Sequence, residues 1–120
     1  MKVEDWVSVF KIAKSYGINH YRFHTCCPPE AAFVAADFMG IYLEPELPFW
    51  GTISSPEEEG YQEAEQDFLT DEAMRILDAF GNHPSFVMFS MGNELWGNAK
   101  HIGSLMAKIQ QHDHRPLFTQ

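Results

Sequence analysis

Four amphipathic segments alternate with short apolar runs along the chain. Trp6, Val7, Phe10, Ala13 and Tyr16 recur at helical spacing, and Gly17 is placed to end that helix. Residues 18–24 carry Ile18, Tyr21 and Phe23 and predict a short strand. Pro28 and Pro29 then set up a second helix with Ala32, Phe33, Ala36 and Met39, stopping at Gly40. Ile41, Tyr42 and Leu43 open a second strand, cut short by Pro45 and Pro48. A long polar connection over 51–68 leads to a third helix, with Thr70 as its expected cap and Ala73, Ile76, Leu77 and Phe80 as its stripe. Gly81 and Pro84 end it, and residues 85–91 read as a third strand. A fourth helix is expected over about 98–111, with Ile102, Leu105, Met106 and Ile109 on one face, and a fourth strand begins after Pro116.

Helices alternating with short apolar strands indicate an α/β fold with a parallel sheet. The runs at 41–43 and 85–91 are apolar at successive positions, as expected of strands covered on both faces. The pattern opens on a helix and closes on a strand barely begun. Four strands alone leave an apolar edge open. The expectation is therefore a single domain over residues 1–120 that is a piece of a larger α/β domain. A small self-contained α/β fold is the alternative.

Composition narrows the partners. Apolar residues make up 45% of the 120 residues and aromatics 14%, which suits a packed core rather than disorder. The formal net charge is -9, with much of the acidity in 57–67, so nucleic acid is a poor partner. No apolar run of about 18 residues is present to span a membrane. Cys26 and Cys27, the only cysteines, fit neither a disulfide framework nor a metal-site spacing. The compartment is left open among cytoplasmic, periplasmic and secreted.

Parallel architectures gather chemistry at the carboxyl ends of their strands. Three ends here are polar: Arg22 and His24, Glu44 and Glu46, Asn93 and Glu94. Arg22 is either a structural ion pair or the group that holds a rim carboxylate ionised. His24 is either a hydrogen-bonded rim histidine or a substrate contact. His20 is expected to pack or bind backbone, His83 to be structural, and His101, His112 and His114 to lie on the surface. Glu46 is preferred over Glu44 because it lies further along the strand. Glu94 is the strongest candidate. Gly92 lets the backbone bend before it, Asn93 offers a donor and an acceptor beside it, and Trp96 can stack on a sugar or desolvate an acid. The plainer alternative makes Glu94 a helix cap and Trp96 a core residue.

Two stretches then carry a resemblance. NHPSFVMFSMGNE resembles the acid/base signature of glycoside hydrolase family 2, which comprises the beta-galactosidases, beta-glucuronidases and beta-mannosidases. GINHYRFHTCCPPEAAFVAADFMGIYLEPELPF resembles that family's second barrel strand, helix and third strand. The resemblance covers essentially the whole chain. It implies a partial (β/α)8 TIM barrel, running from about helix 1 to the start of strand 5. It implies a retaining beta-glycosidase, a hydrolase of O-glycosyl bonds in a carbohydrate substrate, with no cofactor and no metal. By the same resemblance Glu94 is the general acid/base and Asn93 binds the sugar 2-hydroxyl. Arg22 steadies the nucleophile, and His24 and Glu46 line or support the pocket. Trp96 matches no fixed family position. The histidine of Tyr21-Arg22-Phe23-His24 falls one place earlier than in the commoner form. The nucleophile is expected beyond residue 120, and the parent protein is expected to carry the remainder of the barrel, with β-sandwich domains before it. The chain alone is therefore expected to be inactive. Two other readings stay open: a catalytically inactive carbohydrate-binding or structural relative, and a metal-dependent barrel hydrolase using His24, Glu46 and Glu94.

Overall fold

The structure, a computed structural model, describes residues 1–120. The order is α1 Val3–Ser15, β1 His20–Arg22, α2 Glu30–Met39, β2 Tyr42–Glu44, β3 Trp50–Ile53, α3 Glu63–Phe80, β4 Met88–Ser90, β5 Asn93–Gly97, α4 Ala99–His112 and β6 Leu117–Thr119. Helices and parallel strands alternate as expected, with two extra short strands, β3 and β5, at the ends of the second and third expected strands.

All pairing is parallel. β1 pairs with β2, β4 with β6, and single bridges from Leu43 to Phe86 and from Glu46 to Ser90 join the two pairs. The strands therefore lie in chain order, β1-β2-β4-β6, and the sheet is not closed into a barrel. This is the partial (β/α)8 arrangement anticipated from the sequence. β3 and β5 pair with each other beyond the carboxyl ends of β2 and β4.

The two faces of the sheet differ by the period-2 rule. Leu43 and Phe89 are fully buried and point toward the helices, where Phe10, Phe33, Ala36, Leu77 and Ile109 complete the core. Their strand neighbours face the other way, and there Tyr42 is 51% and Leu117 69% exposed. The expectation of strands covered on both faces holds over 85–91, where no residue is exposed, and fails at Tyr42 in the second strand.

Two helix boundaries carry physical reasons. α2 is alanine-rich on its buried side, which lets it lie close against α1 and the sheet, and it ends at Gly40 in the left-handed conformation at φ 65. Lys14 of α1 donates to the Met39 carbonyl at 2.7 Å, satisfying a helix-end acceptor. α3 begins at Glu63, not at Thr70. Its first turn holds Glu63 and Glu65, which favour the positive end of the helix dipole. Thr70 is buried within the helix and donates its hydroxyl to the Gln66 carbonyl at 2.9 Å, so the expected cap is not one. The polar connection is correspondingly shorter than the expected 51–68, because β3 takes its start and α3 its end.

The turn entering β4 is fixed by one carboxylate. Asp37 of α2 accepts from the Ser85 backbone N–H at 2.9 Å and meets His83 Nδ1 at 2.6 Å. His83 also stacks on Phe33, so it is structural, as expected. Burial pushes the Asp37 carboxyl upward, but the hydrogen bonds from Ser85 and His83 outweigh it and hold the group below the usual carboxylate range. A depressed folded value gives stability that is present above the unfolded value, about 3.9, and lost as pH falls through the folded one. Asp37→Asn should therefore lower stability by about 1 kcal/mol at pH 7, with the deficit shrinking toward pH 3. Urea unfolding at the two pH values checks this. An equal deficit at both contradicts it.

Candidate active site

The open rim gathers the residues singled out at the strand ends. Arg22 closes β1. Glu46 follows β2 by two residues and is pulled inward by its backbone: its N–H donates to the Cys26 carbonyl at 3.2 Å, and it bridges to Ser90. Its side chain has no solvent exposure, whereas that of Arg22 is 44% exposed. An isolated buried carboxylate costs several kcal/mol, so it requires a partner. Arg22 Nη2 contacts Glu46 Oε2 as that partner. No other donor reaches either Glu46 oxygen, so Arg22 is the carboxylate's one partner.

The same Arg22 Nη2 donates to Asn93 Oδ1 at 3.0 Å. Only the amide oxygen can accept from a guanidinium, so this contact sets which way the Asn93 amide faces. Asn93 is 7% exposed, its backbone N–H donates to the Phe49 carbonyl at 2.9 Å, and its Nδ2 has no acceptor within the protein. A polar group so placed is ready to donate to a ligand hydroxyl.

Glu94 comes next and is the one non-glycine residue at positive φ, 46°. The reason lies in the β3–β5 pairing. Trp50 pairs with Asn93 and Thr52 with Trp96, so two steps along β3 match three along β5. The extra residue makes a bulge, and bulges re-aim side chains. Two glycines allow the close approach. A Cβ on Gly92 would lie 2.7 Å from the Phe49 carbonyl oxygen, and one on Gly97 2.2 Å from that of Ile53. Glu94 is exposed and, with Trp96, Gly97, Ala99, Ile102 and Gln120, lines a cleft of about 400 Å³. The helix-cap alternative fails here. Asn98 caps α4, its Oδ1 accepting from the His101 N–H at 2.9 Å. Trp96 is 69% exposed and is not core.

The remaining candidates sort by position. His24 is exposed and stands apart from the Arg22–Glu46–Asn93 group. Its ring meets Trp50 edge to face, with centroids 5.5 Å apart. Glu44 belongs to a separate set, where Thr119 donates to Oε1 and His20 Nε2 sits near Oε2, each at 3.2 Å. His20 thus meets a carboxylate rather than backbone. His101 and His112 are likewise engaged, with Gln66 and Asp78. No three His, Cys, Asp or Glu side chains converge closely enough to hold a metal ion, and His24, Glu46 and Glu94 form no such group. No helix is long and apolar enough to cross a membrane. Sequence reasoning missed Trp50, which the aromatic-glycine pair at the end of a strand could have flagged.

Comparison with known proteins agrees with the fold. The family model described as "Glycosyl hydrolases family 2, TIM barrel domain" matches residues 1–119. No curated protein matches the chain. Among solved structures, a beta-glucuronidase from Parabacteroides merdae superposes with a TM-score of 0.75 at 18% identity, over 98% of this chain and 15% of that one. A glycosyl hydrolase family 2 member from Bacteroides cellulosilyticus gives 0.78 at 20% identity, over 98% and 16%. A beta-D-glucuronidase from Dictyoglomus thermophilum gives 0.79 at 19% identity, over 98% and 22%. At these identities the likeness is one of fold. The chain spans between 15% and 22% of the length of these three.

Removing the guanidinium leaves Glu46 buried without its cation. Arg22→Ala should cost roughly 2–3 kcal/mol, below the ~3–5 typical of fully buried pairs because water reaches the guanidinium. Adding Glu46→Gln should recover about half of that. Urea midpoints of the single and double variants measure both, and an unchanged Arg22→Ala midpoint contradicts the pairing's importance.

Proposed function

This chain belongs to glycosyl hydrolase family 2, and from that premise we propose that residues 1–120 form part of a catalytic TIM barrel that hydrolyses β-linked O-glycosyl bonds with retention. Glu94 is the general acid/base. The carboxylate that attacks the anomeric carbon comes from outside residues 1–120. The observation that carries this reading is the single Arg22 nitrogen shared between Glu46 and Asn93, with Glu94 turned out on a bulge one residue later.

The chemistry follows from this arrangement. Retention needs two carboxyl groups about 5–5.5 Å apart across the glycosidic bond. Glu46 is not the attacking one, because its side chain is buried and its charge is committed to Arg22. Its role is to hold Arg22, and through it the Asn93 amide. Asn93 Nδ2 then donates to the sugar hydroxyl next to the anomeric carbon, which orients that hydroxyl so that its own proton, made more acidic as positive charge develops on the ring, is free to bond an acceptor. Glu94 protonates the leaving oxygen, then takes a proton from the water that releases the glycosyl group. The carbohydrate substrate and the further domains of the parent protein are part of the same proposal.

Glu94→Gln in the full-length gene product should cut turnover of β-glycosides with poor leaving groups by about 10²–10⁴-fold. Aryl glycosides with acidic phenols, which need no protonation, should be affected far less in the glycosylation step. The 120-residue chain alone should be inactive on either. Equal losses for both leaving groups, or turnover by the isolated chain, contradict this assignment.

A further inference from the structure

Trp50 has no place in the acid/base chemistry, yet the fold presents it with care. It opens β3 and is 60% exposed. Single exposed aromatics are common on protein surfaces. This one differs in three respects. First, its register partner is Asn93. Paired residues on adjacent strands project to the same side, so the indole and the free amide Nδ2 share one face of the β3–β5 ribbon. Second, the ring is braced. His24 meets it edge to face at 5.5 Å and 87°, an arrangement aromatic rings favour. Third, the ribbon that carries Trp50 also carries Glu94, so any shift of the bulge moves both.

We infer that Trp50 is a sugar-stacking platform for the pyranose held by Asn93, and that His24 is the positioning residue that fixes its ring. This rests on the glycosidase reading above and adds to it the wall against which the sugar lies. A pyranose has polar edges and a face of C–H groups. An indole offers a flat apolar surface with only two rotatable side-chain bonds, so holding it in place loses little entropy. Asn93 grips a hydroxyl on the edge while Trp50 covers the apolar face, and two contacts at right angles define an orientation that neither gives alone. The brace also accounts for the early placement of the histidine in Tyr21-Arg22-Phe23-His24. At position 24 the imidazole reaches the β3 side of the rim, where Trp50 stands, rather than the Arg22–Glu46 pair.

The test uses the full-length gene product labelled with 5-fluorotryptophan, with the position-50 signal identified from Trp50→Phe. Methyl β-glucoside, β-galactoside, β-mannoside and β-glucuronide are titrated in turn, and kinetics are run on the matching aryl glycosides. At least one sugar should shift the Trp50 resonance. Trp50→Ala should raise KM by roughly 3- to 10-fold with kcat little changed, and Trp50→Phe should restore part of it. His24→Ala should produce a smaller rise that His24→Phe reverses, because an aromatic ring restores the brace without restoring a titratable group. A resonance unmoved by all four sugars, or an unchanged KM in Trp50→Ala, overturns the platform. Loss of the leaving-group dependence in Glu94→Gln with the Trp50 shift intact would overturn the acid/base assignment and leave the platform standing.

Discussion

The rim depends on one buried ion pair. Glu46 is carried into the interior by its own backbone, which is tied to Cys26 on one side and bridged to Ser90 on the other. Its carboxylate therefore has nowhere to go, and the fold must bring it a cation. Arg22, from the neighbouring parallel strand, is that cation. The coupling has a cost and a use. A buried pair adds little to net stability. It does fix the guanidinium, and the guanidinium fixes the Asn93 amide at 3.0 Å. Three strand ends, from β1, β2 and β5, are thereby set relative to one another through a single side chain.

The second constraint is the β3–β5 ribbon. A non-glycine residue at φ 46 carries strain of about 1–3 kcal/mol. The ribbon sustains it with parallel pairing on both sides of the bulge and with glycines at 92 and 97 that let backbones touch. Further out, a hydrogen-bonded loop secures the exit of the ribbon. Asn98 Nδ2 donates to Glu58 Oε1, the Ser55 N–H donates to Glu58 Oε2, and Gln66 spans from the Ser54 carbonyl to His101. The Ser55 backbone bond and the Asn98 amide hold the Glu58 carboxyl below the usual range. Strain at Glu94 is thus surrounded by contacts that over-determine its position.

Much of this was legible in the residues. The helices showed in their apolar spacing, the four main strands in their short apolar runs, and the polar rim in what followed each run. Arg22, Glu46 and Asn93 were named from strand ends alone, and the structure brings those three together. Glu94 and Trp96 line one cleft beside them, while His24 falls elsewhere on the rim. What was hidden depends on contacts between distant segments. β3 and β5 have no period of their own; each exists because the other is there, so Trp50 fell within no expected element. The start of α3 was misplaced because Thr70 has a cap's chemistry, and only packing reveals that it is buried. The burial of Glu46 was equally invisible, since it comes from backbone ties to Cys26 and Ser90. Tyr42 was misjudged for the opposite reason: an aromatic residue between Ile41 and Leu43 reads as buried wherever it stands, and here it is exposed.

The central claim is that this constellation addresses a glycosidic bond, with Glu94 at the bond and Glu46 behind the scene. A crystal structure of the full-length Glu94→Gln protein with an intact β-glycoside bound tests it most directly. The account predicts the residue 94 side chain within hydrogen-bond distance of the glycosidic oxygen and Asn93 Nδ2 on the adjacent sugar hydroxyl. It also predicts Glu46 still buried against Arg22. A sugar bound away from residue 94, or one whose anomeric carbon faces Glu46, would contradict it.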